Sequence, residues 1–251
     1  MKRCWLLVAG CLWAGVPLHG GVIYDFVTTM ERPRSTETVA GRIWVEGDSY
    51  RAEFERGGAK SVVISRDGDQ TATLLDAAHA TWSNRARVAG ADVRSAELFL
   101  WPAPGAHVTG SPKVTHRLGE RATIAGEAAV AHVIEASFQI ESRVGSAPLR
   151  GTLTLTATIW TSDSLPELPM QQRHLRTGYE SVDRELLKAE SNVHGMVLRH
   201  ELVVTRAFEG GPPQVEKTTT EIVKLERAAV TESFFTVPDT FTYAGPVTPG
   251  H

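Results

Sequence analysis

The chain has 251 residues, 42% of them hydrophobic and 22% charged, with a formal net charge of −3. That length is ample for a buried core, and the hydrophobic content argues against intrinsic disorder. A charge this close to neutral, without a basic stripe or an acidic tail, argues against a nucleic-acid partner.

The first residues read as an address. Lys2 and Arg3 precede an apolar run from Cys4 to Leu18, interrupted only by small residues and Pro17, the pattern of a secretory signal. A membrane span needs about 20 apolar residues, so the run is too short for a stable transmembrane anchor. Cleavage after Gly20 gives a signal peptide of residues 1–20 and a single domain of 21–251, and cleavage after Ala14 is the rival. The stretch Val8–Ala9–Gly10–Cys11 also resembles a lipobox, which would leave a lipid on Cys11. Few apolar residues precede it and more follow it, which favours the ordinary signal.

Cys4 and Cys11 are the two cysteines, so the exported chain carries none. Disulfides, thiolate zinc sites, thiol catalysis and cysteine-attached haem all fall away. The expected location is the periplasm or another extracytoplasmic compartment.

Six short runs with β patterning follow: Val22 to Met30, Thr38 to Glu46, Ser49 to Glu55, Ser61 to Ser65, Thr71 to Asp76 and Ala80 to Asn84. Short links such as Gly47–Asp48 and Gly57–Gly58 predict hairpins, hence an antiparallel meander. From Ala91 to Leu100 the apolar residues recur at helical spacing, and Pro102 and Pro104 stop the run. Strands resume at Lys113 to Leu118, Arg121 to Ile124, Ala128 to Ser142 and Gly151 to Trp160, with Ala125–Gly126 as a turn. The segment Thr161 to Arg176 holds Pro166 and Pro169 and reads as a surface loop or flap.

A second helix follows. Thr177 and Glu180 are spaced as a capping box, Tyr179, Val182, Leu186, Ala189 and Val193 share one face, and Gly195 is a stop. Met196 to Phe208 and Gln214 to Glu226 are two long strands, and a tail carries Phe234, Phe235, Pro238 and Phe241.

This order of elements resembles the LolA-like bacterial envelope proteins. The local likenesses are Val62 to Trp82, with its Leu75–Asp76 turn; Ile159–Trp160 running into Leu165–Pro166; and Phe235-x-x-Pro238-x-x-Phe241. The resemblance implies a mainly β fold, a strongly curved antiparallel sheet forming an incomplete barrel, with two or so helices over its concave face and an apolar cavity between. It also implies a lipid or other apolar small molecule as ligand. The chain departs from the family pattern by its long middle region.

Patterning adds an independent reason to expect apolar space. A sheet wetted on one side alternates apolar and polar residues, whereas here Ile43 and Val45 oppose Trp44, Val62 and Ile64 oppose Val63, and Leu74 opposes Leu75. The second face must be covered, and the helices Ala91–Leu100 and Thr177–Val193 either fill it or leave room for a ligand. Trp44, Phe54, Trp82, Phe99, Trp101 and Trp160 are the candidate lining residues.

Catalytic signatures are missing. His194, His200 and Glu201 flank a helix-to-strand junction, which is not the i, i+4 spacing of helical zinc ligands, so exposed histidines are the expected reading. His116 and His132 fall on separate predicted strands. Gly57–Gly58–Ala59–Lys60–Ser61 lacks the spacing of a phosphate loop, and no G-x-S-x-G elbow occurs. No cofactor, metal or catalytic residue is expected. The leading reading is a non-catalytic envelope protein holding an apolar ligand; the alternative is a sensor or interaction module that docks another envelope protein.

Overall fold

The computed structural model describes residues 20–66, 71–76, 78–86, 106–144, 147–165, 167–168 and 175–246. Twelve strands form one sheet. The first half supplies β1 (Val22–Arg32), β2 (Ser35–Glu46), β3 (Ser49–Arg56), β4 (Ala59–Ser65), β5 (Thr71–Asp76) and β6 (Thr81–Ala86). The second supplies β7 (His107–Ile124), β8 (Glu127–Val144), β9 (Ala147–Ser162), α1 (Glu180–Glu190), β10 (Met196–Phe208), β11 (Gln214–Arg227) and β12 (Thr242–Pro246). A short 3-10 turn, Glu232–Phe235, lies between β11 and β12.

The strand order is β12-β6-β5-β4-β3-β2-β1-β11-β10-β9-β8-β7. Two antiparallel meanders are thus joined where β1 pairs with β11, Phe26 opposite Ile222 and Thr28 opposite Thr220. Strands consecutive in sequence account for the rest, β9 and β10 through α1 rather than a hairpin turn, apart from β12, which pairs parallel with β6. Tight turns at Gly47 and at Ala125–Gly126 have positive φ, the conformation that hairpin connections of two residues demand.

The sheet is open, with β12 and β7 at its edges among the described residues. It is also coiled. Arg227, at the end of β11, forms an ion pair of 3.0 Å with Glu127, at the start of β8. Three strand spacings separate those strands, about 14 Å in a flat sheet, so the contact requires the sheet to curl between them.

Three apolar clusters share this sheet. Val22, Tyr24, Phe26, Ile43, Val45, Tyr50, Ala52 and Val63 form the first, on one face of β1–β4. Register carries the same face through Thr220 and His200 to Ile159 and Ile134, where the second cluster lies beneath α1. The third is on the opposite face of β4–β6, where Val62, Ile64 and Leu75 meet Val230 and Phe235 of the tail.

Three expectations change here. Among the described residues, the second face of β2–β6 is covered by the tail, where Phe235 reaches back over Val62, Ile64 and Leu75. The segment after β9 is not a surface flap at its described leucines: Leu165 and Leu168 are buried in the first cluster. One helix is present among the described residues, and the predicted helix Ala91–Leu100 lies outside them.

Candidate functional site

The covered inner face begins with α1. Val182, Leu186 and Ala189 recur at helical spacing and are buried, so the helix presents one apolar stripe to Ile134, Phe138, Leu155, Ala157 and Ile159. Tyr179 precedes it, edge-on to Phe138 with ring centroids 5.8 Å apart, and burial pushes its phenol pKa up. Val193, three residues past the helix end, remains buried in the same cluster.

The helix start departs from the expected capping box. Tyr179 is the N-cap residue and makes no side-chain cap bond. Asp183 instead folds back, and its carboxylate accepts from the Thr177 N–H and hydroxyl, both at 2.7 Å, and from the Gly178 N–H at 3.2 Å. Glu180 pairs with Arg184 on the exposed side at 2.7 Å. At the other end, the buried Glu190 carboxylate accepts the Leu175 N–H. Two acidic side chains therefore tie the incoming chain to both ends of α1.

Between the first and second clusters runs a polar seam. The Thr28 and Thr220 hydroxyls share a buried hydrogen bond of 2.9 Å. His200 lies opposite Thr220, and Ile159 separates it from His132. His132 is buried and shares a 3.1 Å hydrogen bond with His116, their rings stacked at 18°. The structure thus joins two histidines whose sequence positions gave no reason to connect them; register is the missing signal, since Leu118 falls opposite His132 and His116 opposite Ile134. That bond needs one proton between the facing nitrogens, so the pair is an internal donor and acceptor. His194 is exposed, as expected, whereas His200 is half-buried.

The first cluster contains a close approach that the sequence did not announce. A Cβ on Gly41 would meet Phe26 at 2.7 Å and the Phe54 Cβ at 2.8 Å, so glycine there lets the two aromatic side chains close over β2. At the far end of β4 on the same face, the buried Ser65 Oγ has no hydrogen-bond partner among the described residues.

The candidate lining residues divide. Phe54 is half-buried against the first cluster, and Trp160 is buried within it beside Leu165, Leu168 and Met196. Trp160 follows Ile159 on β9 and so faces the other way, with the Arg199 guanidinium 4.9 Å over its ring. Trp44 and Trp82 are half-buried in the third cluster under the tail, where Trp44 meets Phe234 at 5.7 Å and Trp82 meets Tyr243 at 4.4 Å. Phe99 and Trp101 lie outside the described residues.

The remaining outer face is charged. Arg42 grips Asp25 through two nitrogens, one at 2.8 Å, and this hydrogen bonding holds the Asp25 carboxyl below its usual range despite partial burial. Burial raises the Glu53 pKa, but the hydrogen bond and charge of Arg51, with Lys60, outweigh it and leave the carboxyl lowered. Arg206 pairs with Glu216 at 2.8 Å, and Arg199 and Lys217 both hold Glu201. Some of these pairs cross strands and others, Arg51 with Glu53 and Arg199 with Glu201, lie along one strand; on a wet surface each is worth little individually.

Among the described residues, no group of three His, Cys, Asp or Glu side chains is placed to hold a metal ion. No described helix is long and apolar enough to cross a membrane.

No family model and no curated protein matches the chain. Among solved structures, it is similar to a domain named for outer membrane lipoprotein sorting, from Vibrio parahaemolyticus. That match has 10% identity and a TM-score of 0.30, over 86% of this chain and 89% of the other. It is also similar to a DUF1329 family protein from Desulfovibrio piger, at 7% identity and a TM-score of 0.32, over 88% and 91% of the two chains.

Proposed function

We propose that the chain is a non-catalytic, exported envelope protein that holds a lipid or another apolar ligand between its curved sheet and the segments lying across it. The observation that carries this reading is the way the inner face is covered. Ile134, Phe138, Ala157 and Ile159 are screened by α1 through side chains, with the helix tethered by the Asp183 and Glu190 carboxylates. A cover held by side chains separates from a sheet without breaking its ladder, and an acyl chain replaces the lost contacts at about 0.8 kcal/mol per CH₂. Ser65 Oγ supplies a buried hydroxyl for a polar end of such a ligand.

Export, periplasmic residence and the 21–251 domain are part of this proposal and rest on the signal-like first 20 residues. Phe54 is the lining candidate retained for the inner space; Trp160 faces away from Ile159 beneath Arg199, and Trp44 and Trp82 belong to the tail-covered face. Full-length protein purified without detergent should carry a copurified lipid in native mass spectrometry, and Phe54→Ala should weaken binding of a fluorescent fatty acid. A chain of bare mass with no affinity for the probe defeats the proposal.

An interaction module is the second reading. It is favoured by Leu118, 65% exposed on the outermost strand β7. Crosslinking in cells that traps a partner through β7, with no lipid in the purified protein, would replace the first reading by this one.

A further inference from the structure

Strand β12 is held unlike its neighbours. Thr242 lies opposite Thr81 and Tyr243 opposite Trp82; the register then shifts, and Pro246, which has no N–H, falls opposite Asn84. It is five residues long and parallel, the weaker ladder geometry, in a sheet whose other pairings are antiparallel. Thr242, Tyr243 and Ala244 are exposed. Besides its ladder with β6, β12 is seated by the Thr242 N–H donated to the Ala80 carbonyl at 2.9 Å and by the Tyr243 ring tilted on Trp82. Upstream the tail is anchored far better. Phe235 is 3% exposed, and the carbonyls of Phe234 and Phe235 accept from Arg51 at 3.2 Å and from Arg66 at 2.8 Å. The buried anchor of the tail is Phe235, Phe241 packs partly buried against the same cluster, and β12 is the short, exposed extension that follows.

Lifting β12 would leave the β6 edge with unpaired backbone donors and acceptors beside a large aromatic side chain, the requirements for adding an extended peptide. We propose that the β6 edge with Trp82 is a strand-addition site for an extended segment of a partner protein, filled in cis by β12. The chemistry of that segment is written in its present occupant. It runs parallel to β6, carries an aromatic residue opposite Trp82, continues with small residues as Ala244 and Gly245 do, and needs no N–H donor at the Pro246 position. Gly245, with φ +99°, supplies the backbone turn that accommodates the register shift. This site lies apart from the inner face and stands whether or not a lipid is bound there.

The probe is a labelled synthetic peptide copying residues 239–246, titrated into the full-length chain by fluorescence anisotropy. Tyr243→Ala weakens the cis occupant, so the variant should bind the peptide at least tenfold more tightly than the unaltered protein does. Adding Trp82→Leu to Tyr243→Ala should abolish that gain. A peptide with alanine in place of its tyrosine tests the same contact without altering the protein, and should bind at least tenfold more weakly. Three results overturn the proposal: no binding to a folded Tyr243→Ala chain, equal binding of the alanine peptide, or a Tyr243→Ala chain that dimerises instead of taking the peptide.

Discussion

Asp183 and Glu180 separate two accounts of how α1 begins. A capping box would place the stabilising carboxylate at Glu180, whereas in the structure Asp183 receives the Thr177 N–H, the Thr177 hydroxyl and the Gly178 N–H. Thr177 is fully buried, so replacing Asp183 by alanine strands one backbone donor and one hydroxyl away from water. Gly178 is exposed, and its N–H finds solvent. Each stranded group costs about 1–1.5 kcal/mol, which puts Asp183→Ala at about 2–3 kcal/mol. Glu180 is exposed and its i, i+4 pair with Arg184 contributes about 0.3–0.5 kcal/mol, the expected cost of Glu180→Ala. Urea unfolding of both variants measures this directly: the midpoint should fall markedly for Asp183→Ala and barely for Glu180→Ala, with unchanged m-values. Equal losses, or a larger loss for Glu180→Ala, would refute the reasoning.

Gly41→Ala should destabilise by about 1–3 kcal/mol in thermal or urea unfolding, because its Cβ would lie within 2.8 Å of Phe26 and Phe54 atoms, and overpacked cores cost that much. Phe235→Ala should cost about 3–5 kcal/mol and make the tail after Arg227 sensitive to limited proteolysis, since this ring is the buried anchor of the third cluster. The pH dependence follows from Asp25, whose folded-state pKa lies below the ordinary value near 3.8. A lowered carboxylate contributes its stability above the unfolded-state pKa and loses it as pH falls through the folded-state one. Asp25→Asn should therefore flatten acid unfolding below about pH 4, by no more than about 1 kcal/mol because the pair with Arg42 is wet.

The strand pattern was legible where alternation and turn residues agreed. Thr71 to Asp76 and Met196 to Phe208 match β5 and β10 residue for residue, and Gly47 and Gly126 mark hairpins with positive φ. The predicted break between Leu118 and Arg121 is real as a register shift, but β7 runs through it as one strand, because a bulge bends a ladder without ending it. The resemblance to LolA-like proteins anticipated an open sheet. What one-dimensional patterning does not carry is pairing between distant segments. The β1–β11 junction, the His116–His132 bond and the parallel seat of β12 on β6 each depend on register across the sheet. The two-sided apolar strands were a sound warning that a cover exists. Its identity was missed on β4–β6 because Phe235 stands in a short irregular segment with no period of its own. The capping-box spacing at Thr177 misled for a local reason: Asp183, six residues on, reaches the same donors once the chain turns at Gly178 with φ +80°.

Native mass spectrometry of the full-length protein, released from cells and purified without detergent, tests the carrier reading most directly. A mass excess that matches a lipid, lost on extraction with organic solvent and restored by added fatty acid, is the predicted outcome. The bare polypeptide mass before and after incubation with fatty acid would contradict it.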